Sequence, residues 1–270
     1  MHEGPPILNH VRRGSGEPLL LLHSLGADLV VWSPLIELLA PHRDVVAVDM
    51  PGFGTSPSLG AELAPTAENL ARAVVSFWDT LGADGDPHIA GLSLGGWVAI
   101  ECARLGRARS VTGLCTAGFW RQPLSPRRNL ARAAARGLKP LIPLLRSKRV
   151  RRAVMGRVIF HPEQVPTADA VHLARAYASA ADYKRASAEM RAGMVTGLDE
   201  LKVPLTLAWG EHDTLVRRRH VRGLPDSVRQ LVLAGCGHIP TWDHPELVSS
   251  VILEGSGGPR SATPSAAAAQ

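Results

Sequence analysis

Short continuous apolar runs recur along this chain, and most are followed by a stretch whose apolar positions repeat at helical spacing. Pro18–Leu22, Asp44–Val48, Ser110–Cys115, Val203–Gly210 and Val228–Leu233 are such runs. Unbroken runs of that length predict strands buried on both faces of a parallel sheet, because an antiparallel strand with one wet face would alternate. Trp32–Ala40 predicts a helix, with Ser33 as its cap and Pro34 in its first turn. A second helix starts at Thr66 and carries Leu70, Ala73, Val74 and Phe77 on one face through about Leu81. Ile7–Val11 predicts an edge strand, Gly14–Pro18 a turn, and His244-Pro-Glu to Leu253 a last helix. Strand–helix alternation of this kind implies right-handed crossovers and a sheet covered by helices on both sides.

The rhythm breaks between Gly118 and Leu198. Helical spacing appears there over Arg127–Leu138, Lys148–Val158, Ala168–Ala181 and Tyr183–Met194, with no strand between them. The expected organisation is therefore a core in two parts, 1–117 and 199–254, interrupted by a helical cap over 118–198. Residues 255–270, rich in Gly, Ser, Ala and Pro, predict a disordered tail. Charge is divided unevenly between these parts. Phe119–Gly197 holds 16 Lys and Arg against 4 Asp and Glu, a net +12 in a chain whose total is +6. Such a segment is either a solvated outer face or an attractor of an anionic partner: an acidic substrate, an acyl carrier or an anionic lipid surface. It has few interleaved aromatics and no recognisable nucleic-acid module, which makes nucleic acid the weakest candidate. Its apolar stretch Leu138–Leu145 suits the wall of an acyl pocket.

No apolar run approaches the roughly 20 residues of a membrane span. Leu19–Leu22 after Arg12-Arg13 faintly mimics a signal peptide, but is too short and begins too late, so a buried strand is expected. Cys102, Cys115 and Cys236 show no metal spacing and no Cys-x-x-Cys pair. They predict reduced thiols serving as small apolar residues in a cytoplasmic protein.

The chemistry concentrates in Asp86-Pro-His-Ile-Ala-Gly-Leu-Ser-Leu-Gly-Gly-Trp, which reads as a buried strand, a tight turn and a helix start. Ser93 stands in Gly-x-Ser-x-Gly, where Gly91 and Gly95 let strand and helix backbones approach without a Cβ between them. A serine hydroxyl near neutral pH needs a base within reach. His238 follows an apolar run in a glycine-containing loop, Ala234-Gly-Cys-Gly-His-Ile-Pro, the kind of place where a parallel sheet presents catalytic groups. Asp213 holds the equivalent place after the preceding run, able to orient an imidazole and stabilise its protonated form. Glu211 is the competing acid, and His212 and His244 are the competing bases. His23 and Asp49 read as structural.

In these positions, and in Asp49-Met-Pro-Gly-Phe-Gly-Thr-Ser56, the chain resembles the α/β-hydrolase family over about Leu19–Leu253, insertion apart. The resemblance implies a mostly parallel, eight-stranded-type sheet flanked by helices, with an inserted helical cap. It implies a catalytic triad of Ser93, Asp213 and His238, and an oxyanion hole formed by the backbone N–H groups of Leu25 and Leu94, with the Ser24 hydroxyl as an alternative donor. The Ser24-Leu25-Gly26 loop is similar to that of enol-lactonases and small esterases. The expected activity is cleavage of an ester-like bond (carboxylic ester, lactone or thioester) through an acyl-enzyme, with no metal or organic cofactor. Carbon–carbon bond hydrolysis and ligand binding without turnover are the alternatives. A serine at the elbow argues against epoxide hydrolysis and haloalkane dehalogenation, which resemble this fold but require a carboxylate nucleophile.

Overall fold

A computed structural model describes residues 7–125, 130–137, 139–221, 223–258 and 267–268. Eight strands form one sheet: β1 His10–Arg13, β2 Pro18–Leu22, β3 Asp44–Val48, β4 His88–Leu92, β5 Ser110–Leu114, β6 Leu205–Gly210, β7 Arg229–Leu233 and β8 Ala267–Ala268. Their order is β1-β3-β2-β4-β5-β6-β7-β8. Neighbours from β3 through β7 pair parallel, while β1 and the two-residue β8 close the edges antiparallel. The unbroken runs are the buried strands: every residue of β2, β3, β5 and β6 is buried.

The helices are α1 Ser33–Leu39, α2 Ala67–Trp78, α3 Leu94–Arg104, α4 Leu130–Gly137, α5 Lys148–Met155, α6 Thr167–Ser179, α7 Tyr183–Ala192 and α8 Pro245–Gly255. Two hydrophobic clusters lie on opposite faces of the sheet. In one, α2 and α3 pack on Leu20, Leu22, Val46 and Val111; in the other, α1 and α8 pack on Leu19, Leu21, Val45 and Ala90. Strands that feed both clusters from alternate residues have no polar face, which is why their sequences do not alternate.

Several expectations shift. The edge strand spans His10–Arg13 rather than Ile7–Val11, and Ile7 is exposed. Ser33 is the first residue of α1 and not its cap. A 3₁₀ turn over Leu29–Trp32 precedes it, and Asp28 caps that turn by accepting from Val30 N. Thr66 does cap α2, accepting from Asn69 N. Between β5 and β6 the chain is helical throughout its regular elements, with a 3₁₀ stretch over Lys139–Arg146 as well as α4–α7. In that stretch Ile142 and Leu145 are buried while Leu141 and Leu144 are exposed. Residues 126–129 and 138 lie outside the described residues. So does most of the expected tail: Gly255 ends α8, residues 256–258 follow it, and Ala267–Ala268 pair with β7.

The helical segment between β5 and β6 is stitched to the loops above the sheet. His172 on α6 meets the Asp28 carboxylate at 2.6 Å. Asp182 N donates to Gly52 O, and Tyr177 and Tyr183 pack so closely on Gly26 that a Cβ there would sit 2.9 Å from each ring.

Candidate active site

The turn after β4 is as tight as its glycines require. A Cβ on Gly91 would lie 2.2 Å from Gly95 O, and a Cβ on Gly95 would lie 2.2 Å from Leu22 O. No side chain fits at either position, so strand and helix touch through backbone alone. Ser93 itself takes φ 54°, ψ −111°, a conformation that costs a non-glycine residue roughly 1–3 kcal/mol and persists only where its surroundings enforce it. Here Ser93 N donates to Leu114 O of β5, and Ser93 O accepts from Gly96 N and Ala117 N. The serine is thus clamped between β4, β5 and the first turn of α3.

Two loops further along the same sheet edge carry the other groups. Asp213 Oδ2 lies 2.8 Å from His238 Nδ1, and Asp213 Oδ1 accepts from Leu215 N at 2.7 Å and Val216 N at 2.9 Å. Burial alone would raise the Asp213 carboxyl. The neighbouring imidazole, its hydrogen bond and the two amides outweigh that, and the group is held below the usual carboxylate range. An acceptor on Nδ1 fixes the proton there and leaves the Nε2 lone pair as the basic site. Close approach of the two loops depends on Gly210, where a Cβ would stand 2.0 Å from Gly237 O.

Of the competitors, Glu211 points away and accepts from Gly235 N, His212 stacks on Phe160 with ring centroids 3.8 Å apart, and His244 caps α8. His23 is fully buried between Ser24 O, 2.8 Å from Nδ1, and Met50 N, which donates to Nε2. Burial pushes its pKa down, so it is a neutral brace between the ends of β2 and β3. Asp49 accepts from Asn9 Nδ2, Leu29 N and Thr55 N and thereby shapes the turn after β3.

Leu94 N is the first amide of α3, where the helix supplies no acceptor. Leu25 sits in the loop after β2, and α3 begins directly against the Leu22 and His23 carbonyls. Among the described residues neither amide donates to a protein acceptor. The Ser93 hydroxyl makes no hydrogen bond to His238 in this arrangement. Acid and base are joined, while the hydroxyl is bonded to neither; hydrogen bonds to a catalytic base are often long in unliganded enzymes.

A chain with this sheet order, this strained Gly-x-Ser-x-Gly turn and this acid–base pair matches the model of the alpha/beta hydrolase family over residues 19–251. The chain belongs to that family. Among its relatives, a pimeloyl-[acyl-carrier protein] methyl ester esterase of Sodalis glossinidius is 30% identical over 86% of this chain and 91% of its own. An epoxide hydrolase of Mycobacterium tuberculosis is 33% identical over 68% of this chain and 94% of its own. The fold is also that of the enol-lactonase of Burkholderia xenovorans, with TM-score 0.71 and 23% identity over 93% of this chain and 96% of that one.

Two neighbours of the Asp213–His238 pair had no role in the sequence-based expectations. Cys115 adopts φ 46° after β5, and its Sγ, a carboxylate oxygen of Asp213 and a ring nitrogen of His238 lie within 4.8 Å of one another. These are metal-ligand atom types, yet each is already committed. The carboxylate is saturated by His238, Leu215 and Val216, while Gly210 N donates to Sγ. Burial, with the charge of Asp213, pushes the thiol well above its ordinary value, so within this network it keeps its proton. The set fits a protonated hydrogen-bond network better than a metal. The second neighbour is Asp243, whose carboxylate turns back onto the His238 loop. Its only sequence signal is an acid shortly after the histidine in the same loop.

Proposed function

We propose that this hydrolase cleaves carboxylic ester bonds through an acyl-enzyme on Ser93. The observation that carries the proposal is the buried 2.8 Å contact of Asp213 with His238 Nδ1, which leaves Nε2 as a base on the sheet edge where Ser93 is held. His238 takes the hydroxyl proton as Ser93 Oγ attacks the carbonyl carbon. The negative oxygen of the tetrahedral intermediate is met by the amides of Leu25 and Leu94, each such donor being worth roughly 100- to 1,000-fold in rate. His238 then protonates the departing alcohol and activates the water that releases the acid. Asp213 keeps the imidazole oriented and stabilises its charged form.

The segment 118–198 acts as a cap over this site, and its excess of positive charge selects substrates with an anionic part, free or linked to an acidic carrier. Lys148, Arg149, Arg152 and Arg157 are exposed on it, whereas Arg151 is turned inward onto the carbonyl of Leu145. The methyl ester esterase relatives, named for a methyl ester of an acyl group on a carrier protein, support a carrier-linked ester substrate. The epoxide hydrolase relative does not alter the reading, because Ser93 stands where epoxide opening requires a carboxylate.

The test is a panel of methyl and p-nitrophenyl esters, lactones and thioesters of graded chain length, with and without a terminal carboxylate. Ser93→Ala should lower turnover by about 10⁴-fold or more. Retained turnover in that variant overturns the mechanism. For carboxylate-bearing substrates kcat/KM should fall as salt rises while neutral ones stay level; equal salt dependence removes the role given to the cap charge.

A further inference from the structure

The buried Asp243 carboxylate gathers three backbone N–H groups from two separate stretches of chain. Oδ2 accepts from Gly237 N at 2.8 Å and from Phe160 N at 3.1 Å; Oδ1 accepts from His161 N at 2.7 Å. Gly237 directly precedes His238. On the other side of the histidine, Ile239 N donates to Val158 O at 2.7 Å. The histidine loop is therefore tied on both flanks to residues 158–161 of the inserted segment. The loop carrying Asp213 is tied to the same place, since Thr214 Oγ1 donates to Arg157 O and the His212 ring stacks on Phe160. Gly237 leaves no slack, because a Cβ there would stand 3.0 Å from both Phe160 N and Val158 O.

We infer that Asp243 is a positioning residue for His238, and that through it the placement of the inserted segment sets the placement of the base. A carboxylate accepting several amides holds them in a geometry that neutral side chains cannot reproduce, because such charge-assisted bonds are roughly twice as strong as neutral ones. Removing it leaves three amides facing a buried void, and the loop on which His238 rides loses its anchor to residues 158–161. Asparagine keeps one acceptor oxygen but turns an N–H₂ toward an N–H, so it restores part of the clamp. Asp243 acts on His238 through Gly237 N on one side and through residues 160–161, next to the Val158 carbonyl that holds Ile239 N on the other. The inference rests on His238 being the base proposed above, but its structural half can be measured without any substrate.

The experiment compares Asp243→Ala and Asp243→Asn with Leu247→Ala, a buried α8 substitution, brought by temperature to the same fraction folded. With the best ester of the panel, Asp243→Ala should lower kcat by about 100-fold, the scale expected for an ångström-sized misplacement of a reacting group. KM should change less than about threefold on the same argument, Asp243→Asn should fall between, and Leu247→Ala should keep its kcat. Proton NMR should show the downfield His238 Nδ1–H resonance in the wild type and in Leu247→Ala, but broadened or lost in Asp243→Ala. Amide exchange at 158–161 and at 237–239 should accelerate together in that variant. An unchanged resonance, or exchange that rises in one stretch alone, overturns the inference. If no ester is turned over by the wild type while these two signatures hold, it is the esterase reading that fails and the clamp that stands.

Discussion

Asp213 and His238 meet at 2.8 Å through Oδ2 and Nδ1, with the Asp213 side chain wholly closed off from solvent. The carboxylate's other oxygen is saturated by two amides two and three residues ahead in its own loop, so it cannot swing away from the imidazole. That rigidity makes the pair a device for holding one tautomer. Asp213→Asn should therefore lower kcat by about 10³- to 10⁴-fold with little change in KM. Steady-state kinetics on a p-nitrophenyl ester checks it, and a loss under tenfold would show that the imidazole is oriented by something else.

Glu211 competes with Asp213 on sequence but faces outward, accepting from Gly235 N and lying 3.7 Å from His212 Nε2. Glu211→Gln should keep at least half of wild-type kcat/KM, and surface changes of this kind usually alter stability by no more than about 0.5 kcal/mol. Assaying it beside Asp213→Asn separates the two acids directly.

The elbow has no room for a methyl group. Gly95→Ala places a Cβ 2.2 Å from Leu22 O, against backbone that cannot yield without moving β2. The expected cost is about 3 kcal/mol, the upper part of the range for overpacking. Urea denaturation should show a lowered midpoint, and a midpoint equal to wild type would mean that strand and helix stand further apart than here.

His23 makes stability depend on pH. Its folded pKa lies below the ordinary 6.5 because burial disfavours the charged ring. Below pH 6.5 the unfolded chain takes up a proton that the folded chain refuses. The stabilisation is thus complete above 6.5 and is lost as pH falls from there toward the folded value. Melting temperature measured from pH 8 to pH 5 should drop in the wild type. His23→Gln should start lower and show a shallower drop; parallel curves would assign the acid sensitivity to other groups.

All three thiols are buried, and burial raises Cys102 and Cys236 to about 12 and pushes Cys115 well above its ordinary value. Reaction with a thiol reagent needs exposed thiolate. The native protein should leave Ellman's reagent nearly unchanged over an hour, whereas in urea three equivalents should react. Prompt labelling of one thiol in the native protein would show an opening near the Asp213–His238 pair or on α3.

The chain by itself determined the sheet core and the elbow, because both are local. Val45, Val46 and their neighbours are apolar without alternation since each alternate residue enters a different cluster, and Gly91 answers a clash with Gly95 in the same turn, although Gly95 is itself pressed against Leu22 O of β2. The boundaries were less legible: Ser33 has the composition of a cap, but Asp28 captures the entry by capping a 3₁₀ turn first. Tertiary structure alone decided which acid meets His238, why Cys115 sits beside that pair, and where Asp243 points. The amides Asp243 gathers from the inserted segment lie 82 and 83 residues away, and a backbone N–H looks the same in every residue type but proline. Side-chain pattern records what a residue must bury; it carries no mark of the distant main chain that a buried carboxylate will find.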